Sequence, residues 1–328
     1  MAGRTGSASS ARTASTRGTL DSFITSTYTA ATDYDPEVDY GIALPNFPAG
    51  ASFEGIEAAA EVAERLGWSG VWTTDHVIVN RASTAEYGRI FEAILSLAWV
   101  GARHPKVTLG TSVIVVPQRN AVLLAKELAT LDLLSGGRVI AGVGVGWNEK
   151  EFANLGAADR FHVRGAYLDE TIRLWRHLWA GSGEPFKGRF HQLEDYVFDP
   201  LPSRGAGLPI WVGGGSDAAC RRAGTLGDGW HASALGPPGY AKRVPQVLAA
   251  AQAAGRPAPA LSARVRIRFD ETSGDGYAMR GTAEQIAAEV RAFAELGATM
   301  LVLSFGVTDP EGIVAAAERF AREVAPLV

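Results

Sequence analysis

The sequence predicts a closed (β/α)8 barrel of the TIM type, on three observations. From Asp39 onward a short apolar run, a turn and an amphipathic helix recur eight times. The apolar runs are continuous rather than alternating, as expected of parallel strands buried on both faces. The glycine fingerprint of an open, doubly wound sheet is incomplete. Gly142-Val143-Gly144-Val145-Gly146-Trp147 opens like G-x-G-x-x-G and then places Trp147 where the last glycine belongs.

The first run is Tyr40 to Pro45; Ser52 is placed to cap the helix after it, and Ile56, Ala59, Val62, Ala63 and Leu66 share one helical face until Gly67. The second unit pairs Gly70–His76 with a helix over 89–102. The third pairs Val107–Val116 with a helix carrying Leu124, Leu128 and Leu131, stopped by Gly136-Gly137. The fourth pairs Val139–Gly146 with a long helix over 163–179. Residues 181–209 break the rhythm with several Gly and Pro and a hairpin signal at 186–190, so they read as an insertion between strands four and five. The rhythm resumes with Pro209–Gly215, Gly229–Ala234, Leu261–Phe269 and Thr299–Phe305, each followed by a helix, the last over 309–325.

Composition narrows the function. A net charge of −4, with both signs interspersed, argues against nucleic acid or an anionic membrane as the partner. Cys220 is the lone cysteine, which excludes an intrachain disulfide and a thiolate metal cage; a cytoplasmic protein is the expectation. Residues 1–37 are rich in Ser, Thr, Ala, Gly and Arg and acid-poor over their first twenty positions. Such a stretch cannot bury enough apolar surface to fold, so a disordered tail or an over-extended start is expected, with the domain beginning at Val38.

In a barrel of this kind, residues at the carboxyl ends of strands carry the chemistry. Strand two ends in Asp75-His76, a pair able to act as general acid or base. Strand four carries Gly142, Gly144 and Gly146 on one parity: either tight packing or, the favoured reading, a bare floor for a flat ring. Strand five runs through Gly213-Gly214-Gly215 into a helix, which exposes backbone N–H groups at the positive end of the helix dipole and suits a phosphate. Arg264, Arg266 and Arg268 alternate on strand seven. They can reach an anion at the mouth, but a surface or partner-facing set is the blander expectation. Trp147, Trp211 and Trp230 stand near strand ends as core packing or as walls for a planar ligand. The six histidines show no metal spacing, so no metal is expected.

Four stretches together resemble the luciferase-like monooxygenase superfamily, in particular its deazaflavin (coenzyme F420) branch: 70–76, 109–119, Leu131 to Arg138 with the glycine strand after it, and 210–230. The resemblance covers about residues 39–325. It implies an oxidoreductase moving a hydride between coenzyme F420 and a small organic substrate, with an FMNH2-dependent monooxygenase or a non-catalytic cofactor-binding protein as alternatives. It further implies His76 as the proton carrier beside Asp75, and Ser112-Val113 as a cis peptide against the ring. Val145 and Asn148 fall near positions that contact the ring and its side chain, Gly213, Gly214 and Gly215 match the phosphate loop, and a homodimer is the implied assembly. Where sugar-phosphate dehydrogenases of that branch carry a glutamate, this chain has Trp147, with Glu149 two residues on. The loop Ala234-Leu235-Gly236-Pro237 lacks their phosphate-binding lysine.

Overall fold

A computed structural model describes residues 38–48 and 50–328; the expected tail at 1–37 lies outside the described residues. Numbering only the barrel elements, the strands are β1 (Asp39–Ala43), β2 (Gly70–Thr73), β3 (Thr108–Thr111), β4 (Val139–Gly144), β5 (Ile210–Gly213), β6 (Gly229–Ser233), β7 (Ala260–Phe269) and β8 (Met300–Ser304). Each pairs in parallel with the next. β8 returns to β1 with Tyr40 opposite Leu301, so the sheet closes. The helices are α1 (Phe53–Arg65), α2 (Ala93–Arg103), α3 (Ala121–Leu134), α4 (Arg164–Trp179), α5 (Asp217–Leu226), α6 (Pro237–Ala253), α7 (Ala283–Glu295) and α8 (Pro310–Arg319). The hairpin Phe186–Lys187/Gln192–Leu193 sits between α4 and β5. Among the described residues no helix is long and apolar enough to cross a membrane.

Strand parity sorts the core into two layers. Val71, Leu109, Ala141, Val143, Val212, Val265 and Leu303 face outward into the large cluster shared with the helices. The alternate positions face the lumen, where Trp72, Trp211, Met300 and Val302 form a separate cluster. The two indoles lie 5.3 Å apart, and the His231 ring stacks on Trp72 at 5.1 Å. Glycines make room for them. A Cβ on Gly110 would come within 2.2 Å of Trp72, and one on Gly229 within 2.4 Å of Trp211. Burying one such indole is worth roughly 4–6 kcal/mol, against which the unpartnered Trp72 Nε1 costs about 1–3 kcal/mol. The lumen is therefore a packed plug.

The third strand departs from the continuous run expected over 107–116. It stops at Thr111, passes through a cis Ser112–Val113 peptide and resumes as a short strand at Ile114–Val115 beside β4.

Candidate active site

The β2 end supplies Asp75 and His76, both buried. They do different things. Asp75 is fully engaged: Oδ2 accepts from Val115 N at 2.8 Å and Oδ1 from Arg119 Nη2 at 2.6 Å. Arg119 also reaches Glu92 at 2.7 Å. Burial alone would lower the Arg119 pKa, but Asp75 and Glu92 outweigh it and hold the guanidinium above its ordinary value. Asp75 thus clamps the chain just after the cis peptide.

His76 Nδ1 lies 2.7 Å from Glu151 Oε2. Glu151 is 0% exposed, and its other oxygen accepts from Val77 N at 2.8 Å and Ile78 N at 3.2 Å. Burial pushes this carboxyl up; the His76 ring and the Val77 N–H outweigh that and hold it below the usual carboxylate range. Tyr87 covers His76 with ring centroids 4.4 Å apart, and Trp147, 58% exposed, meets its edge at 5.8 Å. Glu149 points away, with its side chain 66% exposed and 3.8 Å from His162. The acid beside the histidine is therefore Glu151. Its spacing from Asn148 looks like a capping box, an ordinary helix-start pattern that conceals it. Asn148 does cap the short helix Glu149–Asn154, accepting from Glu151 N at 3.3 Å.

The bare floor expected on the fourth strand is filled. Gly142 and Gly144 do face the lumen, but a Cβ on Gly142 would come within 1.7 Å of Thr111 O, and one on Gly144 within 2.4 Å of Val113 Cγ2. Val113 also fills the space over Gly213, where a Cβ would meet Cγ1 at 2.6 Å. The glycines admit the bulge at Ser112-Val113, so a flat ligand would meet Val113 rather than naked backbone. Ser112 Oγ is 2.8 Å from His231 Nε2.

The glycine loop is anchored on both sides. Trp230 Nε1 donates to Gly214 O at 2.8 Å, and Gly214 N donates to His231 O at 3.2 Å. Gly214 has a φ of +112°, which a side chain would strain. Ser216 caps α5, its side chain accepting from Ala219 N. Trp211 and Trp230 are core residues, one in the lumen and one under the helices.

These residues fit a planar ring carrying a phosphate arm. Asn148 Nδ2 is buried with no hydrogen-bond partner, beside the half-buried Val145, and Gly213–Gly215 leads into a helix N-terminus. Among the described residues no group of three or more His, Cys, Asp or Glu is placed to hold a metal.

An open cavity of about 390 Å³ at the mouth lies on the other side, against β1, β7 and β8. Arg264, Arg266 and Arg268 all line it, which corrects the expectation that they form an outer surface set. On β7 the intervening Ala263, Val265 and Ile267 pack under the helices, so the arginine parity points to the lumen. The site thus brings His76, Ser112, Val113, Asn148 and the glycine loop to one half of the mouth, and the arginines to the other.

The family model for luciferase-like monooxygenases matches residues 38–274. An F420-dependent glucose-6-phosphate dehydrogenase of Mycolicibacterium fortuitum is 32% identical over 231 residues, which are 68% of this chain and 66% of that one. The chain spans about two thirds or less of the length of this and two further F420-dependent glucose-6-phosphate dehydrogenases. Among solved structures, an F420-dependent secondary alcohol dehydrogenase superposes with a TM-score of 0.75 at 20% identity, covering 89% of this chain and 99% of that one. The FMN-bound oxygenating constituent of a Pseudomonas putida diketocamphane monooxygenase gives 0.73 at 15%, covering 88% and 98%. At these identities the structural likeness carries the fold.

Proposed function

The chain belongs to the luciferase-like monooxygenase family, and from that premise we propose that it is an oxidoreductase moving a hydride between coenzyme F420 and a small organic substrate. The observation that carries this reading is the buried His76–Glu151 pair beside Ser112-Val113 and the anchored glycine loop. The relatives named as F420-dependent dehydrogenases support the choice of cofactor.

When bound, the deazaflavin supplies a two-electron hydride acceptor or donor. Gly213, Gly214 and Gly215 would hold its phosphate arm, while Ser112, Val113, Val145 and Asn148 would hold its ring. His76 handles the proton. Glu151, held anionic, fixes the ring through Nδ1 and leaves Nε2 to the substrate. A substrate hydroxyl gives its proton to Nε2 as its C–H bond is oxidised, and the reverse step returns it. Tyr87 and Trp147 screen the imidazole from water. Asp75, engaged with Arg119, acts by position rather than as a second proton carrier.

A homodimer accords with the exposed apolar surface on α1 and α2, where Phe53 and Trp99 meet at 5.2 Å beside Leu95. A cytoplasmic location accords with the lone buried Cys220.

Thermal unfolding in the presence of coenzyme F420 or FMN tests the cofactor assignment. At a hundredfold excess over Kd the true cofactor should stabilise the protein by about 2.7 kcal/mol. Stabilisation by FMN alone would turn the assignment to a flavin monooxygenase, and binding of neither would leave a non-catalytic barrel.

A further inference from the structure

The cavity over β1, β7 and β8 holds more positive charge than its surroundings compensate. Arg264 lies deepest. Its Nη1 donates to Thr74 Oγ1 at 2.5 Å and to Ser112 O at 3.1 Å, both neutral acceptors, and its guanidinium sits over the Phe47 ring at 5.3 Å. Arg266 follows two residues up the strand, one pleat repeat nearer the rim, and is exposed. Among the described residues no carboxylate comes within ion-pair distance of either. Arg268, at the rim, is the exception: it donates to Phe305 O at 2.7 Å and stands 3.9 Å from Glu271.

A guanidinium keeps its charge and offers five donors in a planar fork, and among the described residues Arg264 donates through Nη1 alone. Withdrawing such a group from water without a counter-charge is unfavourable, and a second guanidinium beside it adds repulsion. Burial pulls the Arg264 pKa down to about 10; the nearby Tyr87 opposes this, and Arg266 adds to it. An arrangement that destabilises the free protein in this way is repaid when an anion enters.

We propose that the substrate is an organic oxyanion, a carboxylate or a phosphate ester, whose charged head is bound by Arg264 and Arg266 of β7. The inference rests on the oxidoreductase reading for the word substrate, but the anion site itself stands on the cavity and its two unpaired guanidiniums. It also places the anion on a different strand from the β6 loop Ala234-Leu235-Gly236-Pro237, which offers no lysine. Thr74, which bonds Arg264, joins this site to the β2 end two residues before His76. Tyr87 lines this cavity and packs on His76, so a substrate held by its head at Arg264 would have the proposed proton carrier behind that ring.

The test is isothermal calorimetry with inorganic phosphate, benzoate and the neutral isostere benzamide, on cofactor-free and on F420-loaded protein, for the wild type and for R264M and R266A. At least one of the two anions should bind saturably and about tenfold or more tighter than benzamide, and R266A should lose about tenfold. Whether phosphate or benzoate binds better separates the two head groups. Equal binding of benzoate and benzamide with no phosphate binding would overturn the proposal, as would undiminished anion affinity in R266A. Displacement of coenzyme F420 by the anion would also overturn it, since the arginines would then serve the cofactor. If R264M fails to fold, the exposed Arg266 still decides the matter. Anion binding without F420 binding would sink the oxidoreductase reading and leave the anion site intact. F420 binding without anion binding would do the reverse.

Discussion

The half of the barrel mouth built by β2 to β5 differs from the half built by β7, β8 and β1 in how each treats its polar groups. On the first side the charged groups are partnered: Asp75 by Arg119, and Glu151 by the His76 ring. Glycines there let Val113 cross over two neighbouring strands. On the second side Arg264 and Arg266 face a cavity of about 390 Å³ with no carboxylate among the described residues to answer them. A closed set of pairs fixes geometry before any ligand arrives, as a proton carrier requires. An open set leaves its binding energy to be collected from the ligand. The difference separates a half built for positioning from a half built for recognition.

The largest expected effect lies on the first side. H76A should lower turnover by about 10² to 10⁴, the usual weight of a positioned general acid or base, and leave the coenzyme F420 dissociation constant within a few-fold. E151Q, which keeps the shape and removes the charge, should fall between H76A and the wild type. Steady-state kinetics with a parallel cofactor titration decides this. Unchanged turnover in H76A would take the histidine out of the reaction.

Stability should show the same asymmetry. D75A leaves Arg119 largely buried with only Glu92 to pair with, and leaves Val115 N without its acceptor, at a cost of about 3–5 kcal/mol. R266A, which removes an exposed and unpaired charge, should stay within about 0.5 kcal/mol. Urea midpoints for the two variants should therefore separate widely. Coincident midpoints would mean that the first half is no more tightly braced than the second.

Much of this was legible in the sequence, because strand period, helix caps and glycine stops are local signals. Ser52 does cap α1, and Gly67 leaves α1 with a positive φ. The site was legible only in part. Glycine spacing at 142 and 144 reports that side chains are missing, but not that Val113 arrives from another strand to use the space. Asp75 and Arg119 are forty-four positions apart, and no local pattern joins them. The arginine parity on β7 did contain a usable signal. In a barrel strand covered by helices the outward positions are apolar, so arginines alternating with Val265 and Ile267 belong to the lumen side.

His231 lies where the two halves meet and gives the smallest and sharpest test of the contrast. Nε2 is 2.8 Å from Ser112 Oγ on the first side, and Nδ1 is 2.8 Å from Ser262 Oγ on the strand of arginines. Burial, and then the nearby Arg264, push its pKa down to about 3 from an ordinary value of 6.5. Between those two values the unfolded chain binds a proton that the folded one refuses. Stability contributed by the neutral ring is thus complete above about pH 6.5 and is lost as the pH falls toward 3, with a slope of up to about 1.4 kcal/mol per pH unit. H231Q cannot titrate, so its urea stability should run flatter than that of the wild type through this window, the two curves converging on acidification. R264M removes the second cause and should raise the folded pKa, so the pH window over which stability is lost narrows without closing, since burial comes first. Parallel curves for H231Q and the wild type would show that the seam accepts a proton, and that the halves are less rigidly joined than their hydrogen bonds imply.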